Sequence, residues 1–421
     1  MPIIESLAGR EVLDSRGRPT VLARCTLRSG AVGSASVPSG ASTGQAEAVE
    51  RRDGDPRRYG GLGCRLAARS IAEVFLPALR SVELADQAAL DEALLALDGT
   101  ATKSRLGGNA ILAVSLAFAR AAAAERGMPL YAWLAGQAGR TAPRLPRPMV
   151  NLFSGGKHAG GQVSIQDVLL VPVAARSIDE ALATVYDVYQ AAAALVRERY
   201  DARALTADEG GLAPPFPDAE TMLADAVEAI RRSGREPGRE VALAVDVAAS
   251  HFFEDGRYRL DRVELDGEGM VDVLAGWLDR YPLVSIEDGL AEEDWASWAA
   301  LVHRTEGRGV RVVGDDLLCT SPERIERAIG AGAANALLLK VNQIGTLTEA
   351  ARAAALARAA GWSITVSARS GETEDDWLAD LAVGWGGDFI KVGSITRSER
   401  LAKYNRLLEI EAETGLGLAP N

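Results

Sequence analysis

Cysteine is nearly absent from this chain. Its 421 residues hold three, Cys25, Cys64 and Cys319, an odd number with no metal-ligand spacing. That argues against a disulfide framework or a zinc site and makes a reducing cytoplasm the expected setting. Lysine is almost as scarce: of 46 basic residues five are Lys, leaving 41 Arg. The first residues, MPIIESLAGREVLDSRG, carry acids early and lack the apolar core of a secretory signal. No apolar run is long enough to read as a membrane span. The longest Ala-rich stretch, Asn109 to Ala124, is broken by Arg120 and reads as a core helix. No excess of positive charge is present either. The net charge is −12, with acids and bases interspersed, which excludes nucleic acid or a membrane surface as a general partner. A local cationic pocket remains compatible with that balance.

What is present is ample apolar content, 48%, for a sizeable core. Residues 1 to about 60 alternate like strands in EVLDSRG, PTVLARCTL and GAVGSASVP, punctuated by Gly and Pro. From Arg65 to Arg126 the apolar spacing becomes helical. Strands followed by helices predict a small α+β domain, placed at residues 1–135, with a Pro-rich link at Pro143–Pro148. Beyond it, short apolar runs alternate with Ala/Leu/Arg helical stretches. The runs end at 246, 287, 315, 340, 368 and 391, steps of 41, 28, 25, 28 and 23 residues. Each step fits one strand plus one helix, so residues 136–421 are predicted to form a (β/α)8-type barrel with its site at the strand C-termini. A doubly wound open sheet is the alternative, but no GxGxxG turn opens a helix here.

Scarcity makes each lysine informative. Arg stays protonated, whereas a Lys amine can take a proton once its pKa is lowered. Lys340 and Lys391 end the runs ALLLK and DFIK; Asp246, Glu287 and Asp315 end LAVD, VSIE and VVGD. In a barrel these acids converge on one face and suit a hard divalent cation, most naturally magnesium. Helix capping is the competing reading of such acids. A partly desolvated Lys340 beside the cation is expected to have a lowered pKa and act as general base. Lys391 is expected to stay protonated and stabilise developing negative charge. Two structural ion pairs are the alternative.

Long, ordered segments carry a resemblance. EVLDSRGRPTV, VPSGASTG, LDGTATKSRLGGNAIL, GGKHAGG, ADEGGLAP, SIEDGLAEEDW, VGDDL, LLLKVNQIGTLTE, RSGETEDDWLADLAVG and RSERLAKYNRLLEIE span the chain. In these the chain resembles the enolase family. The resemblance implies an N-terminal α+β lid domain before a variant barrel that begins ββαα. It implies a magnesium-dependent β-elimination on a 2-phosphoglycerate-like substrate, in a homodimer or higher oligomer. Carried over, Lys340, Glu209, Lys391, Asp167 and His158 are catalytic positions. Arg369, Ser370, Gln166, Lys157 and Ala368 face substrate. Asp246, Glu287 and Asp315 hold one magnesium, and Ser42, in GASTG, ligates a second together with substrate.

Three positions depart from the family pattern. Enolases carry Gln-Glu at Gln166-Asp167, Ser-His-Arg-Ser at 367–370 where this chain has Ala368, and commonly Ser at Lys157. The other four lysines fall on family lysine positions. Losing a methylene and a ring enlarges the leaving-group corner, and Lys157 adds positive charge. Water, with a pKa of about 15.7, makes hydroxide a poor leaving group; phosphate, with a second pKa of about 6, leaves more easily. The expectation is therefore a specialised paralogue with a phosphonylated or phosphorylated glycerate substrate that expels phosphate. A resemblance to enolase paralogues that form carboxyphosphonoenolpyruvate implies that product. An ordinary enolase and a non-catalytic scaffold are the alternatives. His251, where enolases usually have Glu, is expected on the surface or behind the site, and His303 is assigned no role.

Overall fold

The alternating N-terminal segments form a three-stranded antiparallel meander of β1 (Ile4–Leu13), β2 (Pro19–Leu27) and β3 (Val32–Ser36). The computed structural model describes residues 1–41, 44–138 and 143–420. The Ala-rich stretch is the helix Gly108–Glu125, buried along nearly its whole length against β2 and β3. Small side chains let it sit close: a Cβ on Gly33 would lie 2.1 Å from the carbonyl oxygen of Ala117. Arg120 leaves this packed face, donating to the Ser34 carbonyl and pairing with Asp375 and Asp376 at 2.7 and 2.6 Å. No helix among the described residues is long and apolar enough to cross a membrane.

The helix Gln87–Asp98 joins this unit to the barrel through a fully buried acid. Asp91 accepts from Gln87 Nε2 at 3.0 Å and from the Thr348 amide and hydroxyl at 2.9 and 2.6 Å. Burial outweighs those donors and pushes its carboxyl up to about 6. A raised carboxyl pKa stabilises the fold fully below the unfolded value and loses that contribution as pH rises through the folded one. The wild type should therefore lose up to about 3 kcal/mol relative to Asp91→Asn between pH 4 and 7. Denaturant melts of both proteins across that range check it, and parallel pH curves would refute it.

The second part is a closed eight-stranded barrel. Its strands are β4 (Arg147–Ser154), β5 (Asp167–Val171), β6 (Ala242–Asp246), β10 (Leu283–Glu287), β11 (Arg311–Gly314), β12 (Ala336–Leu339), β13 (Ser363–Ser367) and β14 (Phe389–Lys391). A small antiparallel sheet outside the barrel, β7 (Phe253–Glu254), β8 (Arg257–Leu260) and β9 (Val263–Leu265), interrupts the order after β6. The barrel strands end on, or one residue before, the expected positions. Runs such as Ala-Leu-Leu-Leu in β12 are buried on both faces, as parallel strands covered by helices must be. Met149, Leu169, Val171, Ala242, Ala244 and Phe389 fill the interior. The pairs β4–β5 and β5–β6 are antiparallel, and helices Ile178–Tyr200 and Ala219–Arg232 follow β5, so the barrel opens ββαα. The fold is α/β.

Candidate active site

Register alone assembles the mouth. Ser154 pairs with Asp167, Asp167 with Asp246, and Asp246 with Glu287. Because β5 runs against its neighbours, its first residue, not its last, stands at the carboxyl end of the barrel. That reversal brings Gln166 and Asp167 to the site. Asp315, Lys340 and Ala368 each follow the last residue of β11, β12 and β13, and Lys391 ends β14.

The amines lie on the acids. Lys391 Nζ is 2.8 Å from Asp246 Oδ2 and 2.7 Å from Glu287 Oε1. Lys340 Nζ bonds Asp315 Oδ2, whose other oxygen accepts from Gln343 Nε2 at 2.8 Å. Gln166 Nε2 donates to Asp246 Oδ2 at 3.2 Å. Burial opposes charge on Asp246, but Lys391 carries its carboxyl down to about 2. Burial and the Asp246 charge push Glu287 well above the carboxylate range. Burial would lower Lys391, but Asp246 and Glu287 hold it well above the ordinary lysine value. Lys340 corrects the expectation of a lowered pKa: burial is outweighed by Asp315 and the amine sits above its usual value.

Asp246, Glu287 and Asp315 are all buried and face two amines, Lys391 and Lys340. An all-oxygen donor set of this kind fits a hard divalent ion. A second acid group adjoins it among the described residues: Asp288, Asp315 and Asp316 offer oxygens within 4.8 Å of one another. Asp288 accepts the amide hydrogens of Asp315 and Asp316, both at 2.9 Å. Burial and the Asp315 charge push Asp316 up to about 7. Sequence reasoning missed Asp288 and Asp316, although the doublets Glu287-Asp288 and Asp315-Asp316 were a visible signal. Ser42 lies outside the described residues.

Arg369 is buried and bidentate on Glu47, at 2.9 and 3.2 Å, with Asn342 Oδ1 at 3.1 Å. Ser370 Oγ accepts from Arg16 Nη1 at 3.1 Å and from the Ala41 amide at 2.9 Å. Arg400 fixes this segment by donating to the Arg369 and Ser370 carbonyls, both at 2.6 Å. The chain around Gly44 packs tightly on the barrel, where a Cβ would meet Cys319 Sγ at 2.4 Å. Sequence reasoning assigned no role to Glu47, Arg16, Asn342 or Arg400, although all but Glu47 lie in segments that carry the resemblance.

On the opposite wall His158 Nδ1 is 2.8 Å from Asp167 Oδ2, and Nε2 is 3.8 Å from Glu209 Oε1. Burial disfavours the imidazolium, but Asp167 and Glu209 overcome it and raise His158 to about 9. Asp167 is fully buried, its other oxygen accepting from Ser154 Oγ at 2.6 Å. It stands behind His158 and is not part of the cavity wall, unlike Gln166, Glu209 and Ala368. Asn151 Nδ2 donates to Glu209 Oε2 at 3.2 Å. His251 corrects the sequence reading, since it lines the cavity. Burial and the Lys157 charge lower it to about 4. Lys157 itself is exposed, beside His158. His303 is exposed on an outer helix.

Fold and site together define a class, an α/β-barrel lyase of the enolase superfamily that sets acids and amines around one mouth. The family profile described as "Enolase, N-terminal domain" matches residues 4–134, and "Enolase, C-terminal TIM barrel domain" matches residues 142–418. A protein of Methylococcus capsulatus named Enolase 1 is 48% identical over 418 residues, covering 98% of this chain and 97% of that one. One of Methanopyrus kandleri named Enolase is 49% identical over 416 residues, covering 98% and 96%. The chain belongs to the enolase family.

Proposed function

We propose that this protein removes water from 2-phosphoglycerate to give phosphoenolpyruvate, with magnesium. The observation that carries the reading is the placement of Lys340 on Asp315 and of Lys391 on Asp246 and Glu287, at successive strand ends of one mouth. The names of two relatives at nearly half identity over almost the whole chain support it.

Arg369 and Ser370 receive the phosphoryl oxygens, the guanidinium fork matching their geometry. Lys340 removes the C2 proton. Lys391, protonated, faces the negative charge that develops on the substrate carboxylate. The C3–O bond then breaks as its electron pair leaves with oxygen and the C2 pair forms the new double bond. The departing hydroxyl leaves as water by taking a proton relayed through Glu209 from the protonated His158, 3.8 Å away, and Asp167 and Ser154 hold the imidazole in place. Asp246, Glu287 and Asp315 would hold one magnesium and Ser42 a second; bound there, the ions would supply positive charge towards the substrate carboxylate. The test is phosphoenolpyruvate formation from 2-phosphoglycerate with magnesium. No product at millimolar substrate, from a folded and magnesium-loaded protein, would reject the proposal.

A second reading keeps this elimination and changes the group expelled. Two observations favour it: Ala368 presents only a methyl to the cavity, and both Asp167 oxygens are engaged by Ser154 and His158. Under it, the C3 group leaves as phosphate, and a carboxyphosphono group on the substrate O2 gives carboxyphosphonoenolpyruvate. Comparing kcat/KM for 2-phosphoglycerate and for a 3-phosphorylated analogue decides between them. The first reading expects preference for 2-phosphoglycerate by about 10⁴-fold or more, the scale on which a site built to hydrogen-bond a substrate hydroxyl rejects an analogue lacking it.

A further inference from the structure

From Met149 to Phe153 the strand β4 is apolar except at Asn151, which is wholly buried. An amide in that place costs desolvation unless each of its polar atoms is bonded. Only half of this one is. Nδ2 donates to Glu209 Oε2 at 3.2 Å, and Oδ1 has no partner among the described residues. Asn151 stands in mid-strand, opposite Leu169 on β5, so its side chain serves neither a cap nor a turn. What the amide does is done at Glu209.

Glu209 sits on a segment whose backbone has little freedom. Leu212 bonds the Leu152 carbonyl and the Ser154 amide of β4 at 2.8 and 2.9 Å, and the Glu209 carbonyl accepts from the Ser394 amide at 2.9 Å. A Cβ on Gly210, whose φ is +88°, would meet Thr396 Oγ1 at 2.4 Å, and one on Gly211 would meet Ser154 Oγ at 2.5 Å. The freedom left is the torsion of the carboxylate, which is broad for a terminal bond of this kind. Asn151 closes it. With Oε2 held, Oε1 is the oxygen turned towards His158 Nε2, 3.8 Å away, in the wall of the cavity.

We infer that Asn151 is a positioning residue for departure of the C3 hydroxyl: it reserves Oε2 of Glu209, so that Oε1 both takes the proton from His158 and delivers it to the leaving oxygen. The inference rests on the elimination reading above. In this step the His158 Nε2–H bond breaks and an O–H bond of the departing water forms. Oε1 is protonated in between and regains its charge at the end, and His158 finishes neutral. The C2 proton goes to Lys340 on the other wall, so proton abstraction does not pass through Asn151.

The test separates the two halves of the reaction on the magnesium-loaded protein. It measures phosphoenolpyruvate formation from 2-phosphoglycerate and, in deuterated water, exchange of the C2 hydrogen. Asn151→Ala should lower kcat for product by about 10²-fold, the scale of a misplaced catalytic group. Its KM and its exchange rate should stay within about threefold of wild type, because substrate binding and proton abstraction are left intact. Asn151→Asp keeps the shape of the side chain and loses the donor, so it should fold and lose more at neutral pH, where two carboxylates face each other. Its product rate relative to wild type should recover as pH falls, because the introduced carboxyl, once protonated, donates to Oε2 as the amide does. Circular dichroism checks the fold of both variants. A merely structural Asn151 would lower exchange and product formation by one common factor. That result, or product formation within about threefold of wild type in both variants, overturns the inference and leaves the elimination reading in place. A wild type that neither exchanges nor forms product sinks the elimination reading, and the role of Asn151 with it.

Discussion

Lys340→Ala should leave a folded protein whose kcat is lower by about 10³-fold or more, towards the upper part of the range for losing a general base. The amine stands at the end of β12 on Asp315, and a methyl group cannot accept a proton. Lys340→Arg should be as inactive, since a guanidinium stays charged at any working pH. Both variants should also lose exchange of the C2 hydrogen with solvent deuterium, which reports proton abstraction apart from departure of the C3 group. Removing the ammonium leaves Asp315 with Gln343 as its remaining partner, so circular dichroism belongs with the kinetics, recorded with magnesium present. Turnover within tenfold of wild type in Lys340→Ala would reject the base assignment.

Glu287→Gln should abolish the response to magnesium. In the wild type, magnesium at 100 times its Kd should stabilise the fold by about 2.7 kcal/mol, because it binds the folded state alone. The variant should show little of that rise, with turnover reduced in parallel. Glu287 lies between Asp246 and Asp315 on the strand order, so its charge is the one most needed to hold an ion between them. Its carboxyl is raised by burial and by Asp246. A raised acid must lose its proton before it ligates, so metal binding releases protons and the magnesium-induced rise should shrink as pH falls. Thermal melts with and without magnesium, at several pH values, check both statements. An undiminished rise in Glu287→Gln would remove this residue from the metal site.

Much of the barrel was legible because its strands are short apolar runs closed by charged residues. Asp246, Glu287, Asp315, Lys340 and Lys391 announce the strand ends and the mouth together. The reversed β5 was legible only through the family resemblance, since an apolar run such as Val-Leu-Leu-Val carries no mark of direction. Glu47 escaped because its partner Arg369 lies 322 residues away and no periodicity links them. His251 was misplaced because the turn after β6 folds back over the mouth. The direction of the Lys340 shift was misread because the expectation counted burial and an added cation but not the acid beside it.

The strand that runs the wrong way also shapes how this molecule can change. Most barrel connections at the mouth lead into a helix, so altering their length disturbs packing on the outer layer. The segment between β4 and β5 both leaves and re-enters at the opening. Residues added or removed there alter what hangs over the chemistry while the hydrogen-bond register beneath stays as it is. This hairpin, which carries Lys157 and His158, is the place where a new substrate preference can be acquired at the least cost to folding.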